Sequence, residues 1–318
     1  MYRRLLFLVL LIALVPSSVF TQKKGDDELP RGVPILWRDP VDISKRNLYW
    51  GPGGAAEKPD LSKVTLIKKE TGGYSTKYRV RDGSGREWVA KVGKEAQAET
   101  SASRLLWAVG FFADKNYLVP RVKVEGIPGP LENARFSLRP DHVKRLDGWK
   151  WSRNPFSGSK QFQGLKVMMA LLNNWDIKDD NNKINVISDE NGGATELRYF
   201  VADLGGTFGK SSPVPVIWRF TRSRNNLRDY AKAYFVDLVR DGIVYFEFAG
   251  KQNDLFEDIS VSDARWMGSL LSRLSKRQLE DAFRASNYTQ PQIRLLTEAV
   301  QDRIAELNAL PRYQQIAR

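Results

Sequence analysis

The sequence predicts an α+β chain in two lobes, a β-rich first lobe with one helix and a mainly helical second lobe. Three observations predict it. From Val64 the text alternates with period two, broken by Gly-containing turns. After about residue 141 a helical period takes over. From Asn225 onward nearly every segment reads as helix. With 318 residues, 42% of them hydrophobic, the chain is long enough for two lobes around a sizeable core.

Residues 1–21 read as a signal peptide. Arg3 and Arg4 precede an apolar run from Leu5 to Val15, and Pro16, Ser17 and Ser18 break it. That run falls short of the ~20 residues of a membrane span, which favours the signal peptide; an uncleaved anchor is the alternative. The expectation is a secreted or periplasmic bacterial protein with no later span. Residues 22–60 form an extended segment rich in Pro, Gly and charge.

The first lobe, 61–140, opens with "KVTLIKKETGGYSTKYRVRDGSGREWVAKVG". This reads as strand, Gly turn, strand, "DGSG" hairpin turn and strand. "KEAQAETSASRLLWAVGFF" is a helix, with Ala98, Leu105, Leu106 and Val109 at helical spacing. Two strands follow, in "YLVPRVKVEGIPG" and "ARFSLRP". The second lobe, 141–318, begins with the helix "SKQFQGLKVMMALLNNW", capped near Ser157 to Ser159, and the paired strands "KINVIS" and "LRYFVADLG". Four helical segments complete it: "NNLRDYAKAYFVDLVR", "SVSDARWMGSLLSRLS", "SKRQLEDAFRAS" and "TQPQIRLLTEAVQDRIAEL".

Composition narrows the chemistry. The chain has no cysteine, which removes disulfides, thiolate metal sites and thiol nucleophiles. Its one histidine, His142, lies in a polar segment and cannot furnish a multi-His site. The net charge of +13 favours anionic partners. The basic residues are scattered and no aromatic-studded motif accompanies them, so nucleic acid is not the expected partner.

One constellation carries chemistry. Asp176 and Asn181 stand five apart in the polar loop "DIKDDNN", and Asp203 ends the second strand of the following hairpin. A phosphoryl-transfer site needs a carboxylate to take the proton of the attacking hydroxyl. It also needs an amide and a second carboxylate as hard oxygen ligands for Mg²⁺ or Mn²⁺, here Asn181 and Asp203. Lys178 can meet the transferred phosphate as a point charge. Lys91, ending "REWVAK", can neutralise the α/β-phosphates of ATP, with Glu95 or Glu99 of the next helix as its anchor. Gly72 and Gly73 let backbone N–H groups approach phosphates, and Ser75 adds a hydroxyl. Singly, each feature also fits a hairpin turn, a solvated charge or a Ca²⁺ loop, although "DIKDDNN" lacks the Gly and distal Glu of an EF-hand. Their order along the chain is what discriminates.

In that order the motifs resemble the protein-kinase-like fold. "NWDIKDDN" is similar to the catalytic loop His-Arg-Asp-Leu-Lys-x-x-Asn, "VADLG" to Asp-Phe-Gly and "WVAK" to Val-Ala-Ile-Lys. The resemblance implies that Lys91 binds the α/β-phosphates and pairs with Glu99. It also implies that Asp176 is the base and that Asn181 and Asp203 hold the metal. Asn174 and Trp175 replace the His-Arg pair, the full glycine loop is missing and no Ala-Pro-Glu follows Asp203. Those departures resemble the atypical branch of lipid-kinase-like, toxin-kinase-like and secretory-pathway kinases. The expected activity is transfer of the γ-phosphate of ATP to a protein, sugar or lipid hydroxyl. A catalytically silent kinase-like binding or scaffold protein, and a Ca²⁺-stabilised envelope-binding module, are the alternatives.

Overall fold

A computed structural model describes residues 30–71, 75–188, 195–214 and 219–311. The chain divides into two compact units, 1–31 and 32–318, and all the named strands and helices belong to the second. Its first strand is β1 (Val33–Ile35). After β2 (Thr65–Glu70), β3 (Lys77–Arg81) and β4 (Glu87–Lys91) come helix α1 (Glu95–Ala108), β5 (Asn116–Lys123) and β6 (Pro130–Leu138). Strands β2 to β6 form an antiparallel sheet in the order β2-β3-β4-β6-β5.

The β3–β4 turn shows why this sequence bends there. The Asp82 carboxylate accepts from the backbone N–H groups of Ser84 and Arg86 on one oxygen, and from Trp88 Nε1 on the other. Gly85 supplies the positive φ that closes the turn, +86°. Trp88 is thereby drawn into the sheet's own core, with no exposed surface and edge-on to Tyr117.

Helix α1 is buried almost all round, as a helix between two layers must be. Leu105 and Leu106 join the larger core of the second lobe. On another face Ser101 Oγ donates to Ser286 Oγ at 2.7 Å, and Gln97 Nε2 donates to the Ser286 and Asn287 carbonyls at 3.1 Å.

The second lobe runs β7 (Lys144–Asp147), α2 (Lys160–Leu171), β8 (Asn182–Ile187) and β9 (Glu196–Val201). Ser159 caps α2 by accepting from the Phe162 N–H. A four-stranded sheet has the order β1-β9-β8-β7, with β1 parallel to β9. Then come β10 (Ser211–Val214), β11 (Arg219–Arg222), α3 (Leu227–Lys232), β12 (Val236–Arg240), β13 (Ile243–Phe246), α4 (Val261–Leu271), α5 (Lys276–Arg284) and α6 (Gln290–Ala309). The architecture is α+β, sheet-rich in its first part and helical toward its end.

One expected helix is corrected. "NNLRDYAKAYFVDLVR" is helical only over α3; "VDLVR" is β12, paired with β13. Asp241 and Gly242 both have positive φ, +50° and +77°, the hairpin geometry that an Asp-Gly pair between β-branched runs favours. "SSPV" and "RFTR" likewise form the antiparallel pair β10–β11.

Candidate phosphoryl-transfer site

The end of β4 and the face of α1 meet at Lys91. Its side chain lies on the same face as Val89, two residues back, where period two puts it. The residue is 1% exposed, and its ammonium lies 2.7 Å from Glu95 Oε2, 2.8 Å from Glu99 Oε1 and 3.5 Å from Asp203 Oδ1. Glu95 and Glu99 both reach it because residues four apart share a helix face. Glu95 also accepts from Ser75 Oγ at 2.7 Å and pairs with Arg224. Glu99 is flanked on its other oxygen by Arg135 Nε at 3.0 Å.

Burial and charge oppose each other here. Burial pushes the Glu99 carboxyl up to about 8, more than Arg135 and Lys91 can pull it down. Burial also pulls the Lys91 ammonium down, but Glu99 and Asp203 outweigh it and the net shift is upward. Asp203 goes the other way: burial would raise it, yet a hydrogen bond from Glu99 and the charge of Lys91 hold it well below the usual carboxylate range. Against burial, Lys91 and the Ser75 hydroxyl hold Glu95 below its ordinary value, so the cluster keeps two carboxylates, Glu95 and Asp203, charged at the cleft.

The loop after α2 carries the rest. Asn173 adopts a left-handed φ of +51° and is tied by Nδ2 to the Gly209 carbonyl and by Oδ1 to Ser211 Oγ. Asn174 N–H closes onto the Met169 carbonyl at 2.8 Å, and Trp175 Nε1 donates to the Ser223 carbonyl at 2.9 Å. Gly206 packs so closely that a Cβ there would lie 2.8 Å from Asn174 Oδ1 and 3.1 Å from the Asp176 nitrogen. Asp176 is thus held on a braced loop, with Lys178 Nζ 3.4 Å and Lys251 Nζ 2.5 Å from its Oδ1. For Lys178, burial lowers the ammonium, but the Asp176 and Asp203 carboxylates leave it raised.

Asn181 and Asp203 fit a divalent metal. Asn181 Nδ2 is spent on the Asp176 carbonyl at 2.6 Å, which leaves the amide oxygen for a cation. The Asn181 carbonyl accepts the Ala202 and Asp203 N–H groups, so the hairpin of β8 and β9 brings the two side chains to one spot. Hard oxygen donors, one of them charged, suit Mg²⁺ or Mn²⁺.

Of the residues expected from sequence, Lys91, Glu99, Asp176, Lys178, Asn181, Asp203 and Ser75 all line one cavity of about 470 Å³. Gly72 and Gly73 lie outside the described residues. Sequence reasoning missed Arg135, Arg224 and Lys251 as members of the site. Lys251 stands 75 residues from Asp176 and its text, "FAGKQND", carries no motif.

No family model and no curated protein matches the chain. Among solved structures it is similar to the Helicobacter pylori proinflammatory kinase CtkA, at 10% identity over 78% of this chain and 95% of that one, TM-score 0.48. It is also similar to the Rio2 kinase from Chaetomium thermophilum in complex with ADP/Mg²⁺, at 13% identity, 79% and 74% coverage and TM-score 0.35. The Golgi casein kinase with Mn/ADP bound follows at 10% identity, 79% and 72% coverage and TM-score 0.36. All three are kinases. At these identities and scores, the chain's own residues must decide what the site does.

Proposed function

We propose that this protein is an atypical kinase that transfers the γ-phosphoryl group of ATP to a hydroxyl on a protein, sugar or lipid acceptor. The observation that carries the proposal is the convergence of Lys91, Glu99 and Asp203 within 3.5 Å, beside the Asn181 amide and the braced Asp176. A bound Mg²⁺ or Mn²⁺ would supply charge neutralisation on the phosphates. Lys91 meets phosphate oxygens and Glu99 positions it. Asp176 takes the proton of the acceptor hydroxyl; both lysines approach its Oδ1, which leaves Oδ2 for that proton. Lys178 and Lys251 offset charge where the phosphoryl group moves. The signal-like text of residues 1–21 supports action outside the cytoplasm.

A second reading, a kinase-like binding protein without turnover, draws on the same 2.5 Å pair: Lys251 occupies the base itself. Transfer of labelled γ-phosphate separates the two. Wild-type protein should label itself or an added acceptor in the presence of Mg²⁺ or Mn²⁺. Asp176→Asn should bind nucleotide and lose transfer by about 10²–10⁴-fold, and Asp203→Asn should lose metal-dependent binding. Transfer that persists in both variants would overturn the assignment.

A further inference from the structure

The phosphate cleft adjoins a second cavity of about 830 Å³, and Arg224 lines both. Its guanidinium pairs with Glu95 and lies 4.7 Å from the centre of the Trp175 ring, the residue before Asp176. Three pieces of chain enclose this outer groove: Lys94 at the entry of α1, residues 223–228 leading from β11 into α3, and the first two turns of α6. Hydrogen bonds brace the middle piece. The Ser223 carbonyl accepts from Trp175 Nε1 at 2.9 Å, and the Asn225 and Asn226 N–H groups donate to the Thr207 and Phe208 carbonyls at 2.9 and 2.8 Å. A groove fixed in this way pays little ordering cost when a ligand enters.

Among the described residues no carboxylate lines this groove, whereas the phosphate cleft and the cavity beside Phe112 each hold several. What it offers is donors. Lys94 and Arg228 are exposed and make no ion pair or hydrogen bond among the described residues. The Asn226 side-chain oxygen is spent on the Asp229 N–H at 3.2 Å, and that of Gln292 on the Thr289 N–H at 2.9 Å, so both amides have only N–H groups left to offer. The neighbouring acid, Asp229, is engaged by Ser223 Oγ at 2.6 Å. Two unpaired cations beside two amide donors suit the carboxylates and backbone carbonyls of an acidic peptide. Leu227 and Leu295 are half-buried, so the groove projects no large apolar side chain for insertion into a bilayer. No aromatic side chain lines it, so nucleic-acid bases have nothing to stack on.

We infer that this groove docks the acceptor, and that the acceptor is an acidic protein segment with a Ser or Thr hydroxyl a few residues from its Glu or Asp side chains. This rests on the phosphotransferase reading above and names its acceptor. In the step, the hydroxyl oxygen bonds to the γ-phosphorus of ATP, and the bond from that phosphorus to the bridging β–γ oxygen breaks. ADP leaves with the electron pair, and the hydroxyl proton passes to Asp176.

Fluorescence anisotropy of the full chain with short labelled Ser peptides, flanked by Glu, by Gln or by Lys, reads the groove without turnover. At about threefold per exposed cation, the Glu peptide should bind about tenfold tighter than the Gln peptide, and the Lys peptide weaker than both. Added salt should shrink the preference. Lys94→Gln together with Arg228→Gln should bring the Glu-to-Gln affinity ratio to about one; if that variant misfolds, Arg228→Gln alone should cut the ratio about threefold. A wild-type ratio of about one, or a ratio that survives these substitutions, overturns the inference. Binding to phosphatidylserine vesicles but not to the Glu peptide overturns it in favour of a lipid acceptor. Transfer of labelled γ-phosphate to the Gln peptide as fast as to the Glu peptide sinks the acidic acceptor and leaves the kinase reading standing. Selective binding that depends on Lys94 and Arg228 but yields no transfer keeps the acidic-peptide groove and sinks the kinase reading.

Discussion

Replacing Lys91 with Met removes an ammonium buried among three carboxylates while keeping its bulk. That ammonium sits 2.7 Å from Glu95, 2.8 Å from Glu99 and 3.5 Å from Asp203. Glu99 keeps its proton near neutral pH, so the charges left uncompensated are Glu95 and Asp203. Breaking a buried ion pair costs about 3–5 kcal/mol. Glu95 retains Arg224, and the Asp203 side chain is 38% exposed, so solvent repays part of the loss and the low end, about 3 kcal/mol, applies. At roughly 2–4 °C per kcal/mol, the Tm falls by roughly 6–12 °C. Without the cation, both carboxylates have folded pKa values higher than with it, so stability is lost as pH rises through the ordinary carboxylate range and beyond. The deficit should be larger at pH 8 than at pH 5. Thermal unfolding of the nucleotide-free protein, followed by far-ultraviolet circular dichroism, measures both. A Tm within 2 °C of wild type at pH 8 would refute the claim that Lys91 balances this cluster.

Glu99→Gln tests the raised carboxyl directly. The folded protein holds this proton up to about pH 8, whereas an unfolded Glu releases it near 4.5, so wild-type stability falls as pH rises between those values. Gln does not titrate, and the slope of Tm against pH should flatten over that window; an unchanged slope would assign it elsewhere. Trp88→Ala empties the middle of the sheet's separate core and should cost about 3–5 kcal/mol in urea unfolding. A loss below about 1 kcal/mol would mean the sheet does not depend on that core.

Local pattern and tertiary packing divided the information in this chain. The "DGSG" turn, the Ser159 cap and the alternation of β8 are interactions between residues a few positions apart, and the text showed them. The β12–β13 hairpin was just as local; its Asp-Gly signal was outweighed by the apolar spacing of "YAKAYFVDLV", which also fits a helix. The site divides the same way. Asp176, Asn181 and Asp203 were legible because one hairpin joins them, and Lys91 and Glu99 because one strand and one turn of helix do.

The sequence by itself determined the residue types available for chemistry: carboxylates, amides, Lys and Arg, with no thiol and one histidine. It also determined the strand and helix that carry Lys91 and Glu99. Tertiary structure alone decided that Lys251 reaches Asp176, that Arg224 reaches Glu95 and that Arg135 reaches Glu99. Those pairs lie 75, 129 and 36 residues apart, and no local period encodes such a meeting. They form because the sheet, α1 and the second lobe bury their apolar faces together and bring the charged ends of each element to the same cleft.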